Sequence, residues 1–211
     1  PKHEPMPLVK FTPSMEVTEV WSKGLSSAEG FLVPAVYDDM VFAAGGKTLT
    51  RLNARTGETE WSVSFNSPIT GGVGSDGYVT AVGLWDGNLE VVDAEGKVSW
   101  EKKLTTELAS PPVVSHGLVI ARTMDTRVSA FEASSGELQW TYQRSQPALT
   151  VRLPTRMLAH DNFLLVGQPN GHIVILDIAS GKPMFEFQVA QAKGVTEVER
   201  LVDVVGAPAF S

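Results

Sequence analysis

Short apolar runs alternate with polar turn clusters along most of this chain, and the alternation repeats. The runs Phe31 to Val36, Pro68 to Val73, Pro111 to Ser115 and Leu153 to Ala159 each contain or follow a proline. A tight polar turn comes next in every case: Asp38-Asp39, Ser75-Asp76-Gly77, Ser115-His116-Gly117 and His160-Asp161-Asn162. A second apolar run follows, Met40 to Ala44, Tyr78 to Gly83, Leu118 to Thr123 and Phe163 to Gly167. Short apolar runs bounded by Gly, Pro, Asn and Asp read as strands. Sustained 3.6-residue periodicity with caps is missing, so no long helix is predicted.

Each unit closes in the same way. A third strand leads into a glycine turn, and an aromatic strand leaves it: Asn53 to Gly57 before Trp61, Asp93 to Gly96 before Trp100, Glu132 to Gly136 before Trp140, Asp177 to Gly181 before Phe185. A type I turn followed by a left-handed residue suits this spacing, and glycine adopts that conformation without steric cost. The second unit is one residue shorter between its acid and Trp100, which reads as a changed turn on an unchanged fold. The aromatics recur about every 40 residues, a period that with four strands per unit predicts a β-propeller. The fold class is therefore all-β, with about four blades of four antiparallel strands. A large flat side chain at a fixed repeat position packs one blade on the next, burying ~150–250 Å². Trp21, Trp61, Trp100, Trp140 and Phe185 are the blade-packing residues on this reading.

The ends of the pattern are incomplete. Residues 1–15 carry Pro1, Pro5, Pro7 and Pro13 and read as an extended tail. Residues 16–22, with Trp21, look like the aromatic outer strand of a unit whose first three strands are absent upstream. Four blades follow over about 30–188, then a loop at 189–205. Residues 206–211 resemble the opening strand of a further blade. The expectation is roughly half of a larger ring, whose open edges pair with another copy or with the missing half. Pro1 stands first and no signal peptide is visible, so any targeting segment is expected to be processed or to lie outside this sequence.

Composition narrows the function. With 211 residues, 43% hydrophobic and 19% charged, the chain builds a core. A net charge of −7 makes it a poor phosphate binder, so nucleic acid is not an expected partner. Cysteine is absent, which removes disulfides, thiolate zinc sites and Cys nucleophiles. No apolar run approaches the ~20 residues of a membrane helix.

Individual motifs carry little chemistry. Gly72-Val73-Gly74-Ser75-Asp76-Gly77 fits G-x-G-x-x-G, but Tyr78 to Val82 after it is a strand, and the fingerprint needs a helix to hold a pyrophosphate. His3, His116, His160 and His172 show no metal-like spacing, and His116 and His160 fall in the same turn of successive repeats, as solvent-facing loop residues. The recurring acids Asp93, Glu132 and Asp177 have a turn-forming role. No catalytic residue, cofactor or metal is expected. Trp85, outside the aromatic register and beside Asp86-Gly87, reads as an exposed contact residue.

Two connections break the repeat, Gln143 to Pro154 and Val189 to Val205. Extra residues in a repeat protein usually form loops on one face, where partners bind. The blade motif resembles the pyrroloquinoline-quinone-type propeller repeat, A-x-x-x-T-G-x-x-x-W, from which Ala54 to Trp61 departs by a shorter spacing. Across the whole chain, Pro5 to Pro13 with Val20-Trp21-Ser22, Asn53 to Val63, Ser110 to Val119, Pro147 to Arg152 and Thr196 to Val204 resemble the BamB family of outer-membrane assembly lipoproteins. That resemblance implies half of an eight-bladed ring acting as a non-enzymatic scaffold. It implies a periplasmic location in a Gram-negative bacterium, on the outer membrane through a lipid anchor whose cysteine is not in this chain. It also implies binding to the POTRA domains of BamA, with unfolded outer-membrane proteins as a further class of partner. Carried over by position, the partner-binding candidates are Leu149, Val151, Arg152, Arg200 and Asp203. Where the family often has a second acid beyond Asp203, this chain has Val205.

Two other classes fit the blade pattern. A quinoprotein dehydrogenase would need a larger ring, a calcium site and often a vicinal cysteine pair. A generic peptide- or polysaccharide-binding propeller would use a central funnel in place of side loops.

Overall fold

Each second apolar run is covered on both faces, and this is why it lacks the in-out alternation of a half-exposed strand. The computed structural model describes residues 18–27, 31–144, 156–168 and 171–188. Among them it is all-β, with seventeen strands in four sheets. The first sheet is β2 (Ala35–Tyr37), β3 (Met40–Gly45), β4 (Thr48–Asn53) and β5 (Thr59–Ser64). The second is β6 (Ile69–Ser75), β7 (Thr80–Leu84), β8 (Asn88–Val92) and β9 (Val98–Lys103), with β1 (Phe31–Leu32) added at its inner edge. The third is β10 (Val113–Ser115), β11 (Leu118–Arg122), β12 (Val128–Glu132) and β13 (Leu138–Tyr142). The fourth is β14 (Leu158–His160), β15 (Phe163–Gln168), β16 (His172–Asp177) and β17 (Pro183–Gln188). Within each sheet these four strands pair antiparallel in chain order. β7 and β11 are buried throughout, while β5 and β9 are largely exposed.

Three apolar clusters lie between consecutive sheets. Phe42, Ala44 and Leu49 of the first meet Ile69, Val73, Val82 and Leu84 of the second. Ala81, Leu89 and Val91 meet Val119, Ala121 and Phe131 of the third. Leu118, Ile120, Val128 and Ala130 meet Leu164, Val166, Val174 and Leu176 of the fourth. Along β11 even positions therefore face one neighbour and odd positions the other, as a two-residue side-chain period requires. Sheets stacked face to face in chain order are propeller blades.

The structure departs from the sequence expectation at three places. Phe31 to Val36 is not one strand. Phe31 and Leu32 pair parallel with Gly71 and Gly72 of the second blade, and only from Ala35 does the chain join the first. Pro34 lacks an N–H for a continuous ladder, and the glycines of β6 leave room for a close backbone. The second strand of blade two begins at Thr80, not Tyr78, because Asp76 Oδ1 accepts the N–H groups of Tyr78 and Val79 at 2.9 and 2.8 Å and holds them in the turn. His160 is not a turn residue but ends β14, and the turn begins at Asp161, which has positive φ as His116 does, 49° and 55°. Residues 18–22 join no sheet among the described residues.

Candidate functional site

The glycine turns build the seams between blades. In each sheet the outer strand carries one extra residue opposite the third, so that Arg51 faces Trp61 and Leu52 faces Thr59, with Glu60 between. The same bulge precedes Trp100, Trp140 and Phe185. A bulge re-aims the side chain that follows it. Trp61 donates its indole N–H to Ala94 O at 2.9 Å, Trp100 to Ala133 O at 2.8 Å and Trp140 to Ile178 O at 2.8 Å. Trp21, without a sheet of its own, makes the same bond to Ala54 O at 2.8 Å. Each ring lies on the turn glycine of the next blade: a Cβ added to Gly96 would stand 2.7 Å from Trp61 Cδ2. Gly96 has φ of 80°, so conformation and space both call for glycine there. Asn53, Asp93 and Asp177 brace their turns by accepting backbone N–H groups two or three residues on. Phe185 occupies the same register position, is 53% exposed and stacks on Phe187; the residues after 188 lie outside the described ones.

Antiparallel order gives every blade two unlike ends. One carries the first-to-second-strand turns and the glycine turns. The other carries the second-to-third-strand turns, including Trp85 to Gly87 and Thr123 to Arg127, and the connections between blades. The connection from β13 to β14 leaves and returns at this second end. Leu149, Val151, Arg152, Arg200 and Asp203 lie outside the described residues.

The position after each seam aromatic points to the opposite face of its sheet, away from the seam that the aromatic closes, and here charge enters. It is Ser62, Glu101, Thr141 and Glu186 in the four blades. Opposite them on the third strands stand Thr50, Glu90, Ser129 and Val174. In the first blade Thr50 and Ser62 hydroxyls bond at 3.0 Å. In the fourth, Arg144 reaches across from blade three to pair with Glu186, which also meets His172 Nδ1 at 3.1 Å. Glu186 is held below, and Arg144 above, its ordinary pKa, each chiefly by their mutual hydrogen bond. In the second blade two carboxyls face each other. Glu90 is 6% exposed, and burial first, then the charge of Glu101, the hydrogen bond to it and the charge of Asp86 push its pKa up to about 7. The sequence reading passed over Glu90, although an acid inside the apolar run Leu89 to Val92 was a visible signal. Nothing in the sequence signalled the Arg144–Glu186 pair, whose members stand on different blades.

Gly72 to Gly77 runs along β6 into a turn, and β7 follows, so no helix N-terminus is offered to a phosphate. Among the described residues no group of three or more His, Asp or Glu converges as metal ligands would. Trp85 is 63% exposed.

A family model described as outer membrane protein assembly factor BamB matches residues 45–211. The protein of that name from Burkholderia pseudomallei is 39% identical over 97% of this chain and 54% of its own length. The one from Bordetella pertussis is 34% identical over 98% of this chain and 54% of its own length. Among solved structures, BamB from Moraxella catarrhalis superimposes with a TM-score of 0.65 at 27% identity, covering 80% of this chain and 51% of that one. The chain spans about half the length of the curated relatives it matches.

Proposed function

The chain belongs to the BamB family of outer-membrane protein assembly factors, and from that membership we propose that it is a non-enzymatic scaffold of the β-barrel assembly machinery that binds the POTRA domains of BamA. The observation that carries this reading is the extent of the family match, residues 45–211, which includes both connections that break the repeat. The regular positions are occupied otherwise: the aromatics hold seams and the acids brace turns. That leaves the irregular connections as the places where this chain has residues to spare for a partner.

In the proposed contact Leu149 and Val151 supply apolar surface and Arg152 the charged centre, a combination common at interface hot spots. Asp203, with Arg200 nearby in sequence, orients Arg152 or pairs with a base on the partner. The scaffold would work on the periplasmic face of the outer membrane, held by a lipid anchor, with unfolded outer-membrane proteins as its clients. A titration of the BamA periplasmic region tests this. Arg152→Glu should weaken binding by at least tenfold, and unchanged binding would remove the assignment.

A further inference from the structure

Between blades two and three the outer strands leave a cleft of about 230 Å³. One wall is β9 and the chain after it, with Lys102, Leu104 and Thr105; the other is blade three, with Arg127, Ser129 and Thr141. Lys102 pairs with Leu89 across β8 and β9, and Thr141 pairs with Ser129, which pairs with Ala121. Leu89 and Ala121 belong to the apolar cluster between these two blades, so the two-residue period turns both rows into the same seam. Ala121, Phe131 and Leu138 add apolar surface to the cleft.

The same register position is satisfied within the protein in blades one and four. Thr50 and Ser62 bond each other in the first. In the fourth, Glu186 takes Arg144 from the blade before it. Blade three has cations at hand but no acid: Thr141 stands where Glu186 stands, and the hydroxyls of Ser129 and Thr141 bond no protein group among the described residues. Lys102 has no ion pair or hydrogen bond there either. Arg127 donates Nη2 to the neutral Gln143 Oε1 at 3.2 Å, and its buried Nε has no acceptor. No carboxylate lines the cleft. Asp125 lies two residues from Arg127 and is committed to the Thr123 hydroxyl and the Arg127 backbone N–H. Burial works against ionised Asp125, yet those bonds, one from Thr105 and the Arg127 charge hold its pKa below the usual value, so it offsets part of that charge. Glu101, next to Lys102, points to the opposite face of β9 with Glu90. Lys102 is left without a counter-charge in the cleft.

We propose that this cleft binds a carboxylate: the acid that blade three lacks comes from a ligand. Its carboxylate lies between Lys102 and Arg127 and accepts from the hydroxyls of Ser129 and Thr141, while its apolar stem lies on Phe131 and Leu138. Hydrogen bonds from a cation to a carboxylate are about twice as strong as neutral ones, so charge decides which ligand is held. The volume falls below the ~300–1,000 Å³ of pockets for drug-sized ligands and suits a short organic acid or one acidic side chain of a polypeptide. Phosphate fits less well, since the apolar lining strips its water without replacing it. The site uses residues of blades two and three alone and is independent of the BamA contact.

The experiment follows backbone amide and arginine Nε–H resonances of the isotope-labelled protein at constant ionic strength. The probes are benzoate, a glutamate capped at both backbone ends, benzyl alcohol and inorganic phosphate. At least one of the two acids should shift Ser129, Thr141 and the Arg127 Nε–H saturably. Benzoate alone marks a free small acid as the source, and the capped glutamate alone marks a polypeptide side chain; binding of both admits either source and supports the site. Benzyl alcohol has the shape of benzoate without its charge and should bind about tenfold more weakly, with phosphate no better. Lys102→Gln and Arg127→Gln should each weaken the acid by about fivefold or more. Thr141→Glu sets a carboxylate in place and should abolish binding, whereas Thr141→Gln should retain it. Unchanged amide shifts in blades one and four confirm that a variant is folded; where Arg127→Gln fails that check, Lys102→Gln decides. No saturable shift with either acid would overturn the proposal. So would benzyl alcohol or phosphate binding as well as the acids, or an affinity that Lys102→Gln leaves unchanged.

Discussion

Replacing Glu90 by Gln should stabilise the protein, and by an amount that grows with pH. Glu90 sits in the seam between blades one and two, 6% exposed and opposite Glu101. Burial, Glu101 and Asp86 all disfavour its charge, and its pKa rises from 4.5 to about 7. The folded state then binds the proton more tightly than the unfolded chain. Stability is unaffected below pH 4.5, falls as pH rises from 4.5 to 7, and is flat above that. At about 1.4 kcal/mol per pH unit the full cost is about 3 kcal/mol. Gln is neutral at every pH, nearly isosteric, and its amide donates to Glu101 as the protonated acid does. The variant should therefore gain up to about 3 kcal/mol at pH 8 and under about 1 kcal/mol at pH 5. Urea unfolding of both proteins at the two pH values reads the difference directly. A gap that does not change between pH 5 and pH 8, or one that favours the parent at pH 8, would refute the reasoning.

Two more outcomes follow from the seams. Gly96→Ala and Gly117→Ala impose the same left-handed penalty, about 1–2 kcal/mol, since both glycines have positive φ, 80° and 71°. Only Gly96 meets a neighbouring ring, while Gly117 faces open space, so denaturant unfolding should find Gly96→Ala the more destabilised by at least about 1 kcal/mol. Trp100→Phe keeps an aromatic in the seam but leaves Ala133 O without its 2.8 Å donor, and calorimetry should register a loss of about 1–3 kcal/mol.

Much of the fold is legible residue by residue. The glycine turns, the aromatic after each, and the continuous apolar second strands are local features, and each repeats often enough to be recognised without coordinates. The candidate site was less so. Trp85 stood out because it falls off the aromatic register, but the cleft between Lys102 and Thr141 did not, since it needs two blades side by side. Pro34 was read as part of a strand because the parallel partner that takes up Phe31 and Leu32, at Gly71 and Gly72, lies in the next repeat. His160 stands beside Asp161-Asn162 and so reads as turn, yet it closes β14, because the chain first turns at Asp161, where φ is positive.

The amino-acid sequence alone determined the unit: four short strands, a bulged glycine turn and a seam aromatic, because turn chemistry and side-chain period act over a few residues. Only the tertiary structure decided which units touch and how deeply. It set Glu90 against Glu101 in a buried seam, gave Glu186 an arginine from the preceding blade, and brought Lys102 into one cleft with Ser129 and Thr141. Those outcomes depend on distance and dielectric between residues far apart in the chain, and no local pattern encodes either quantity.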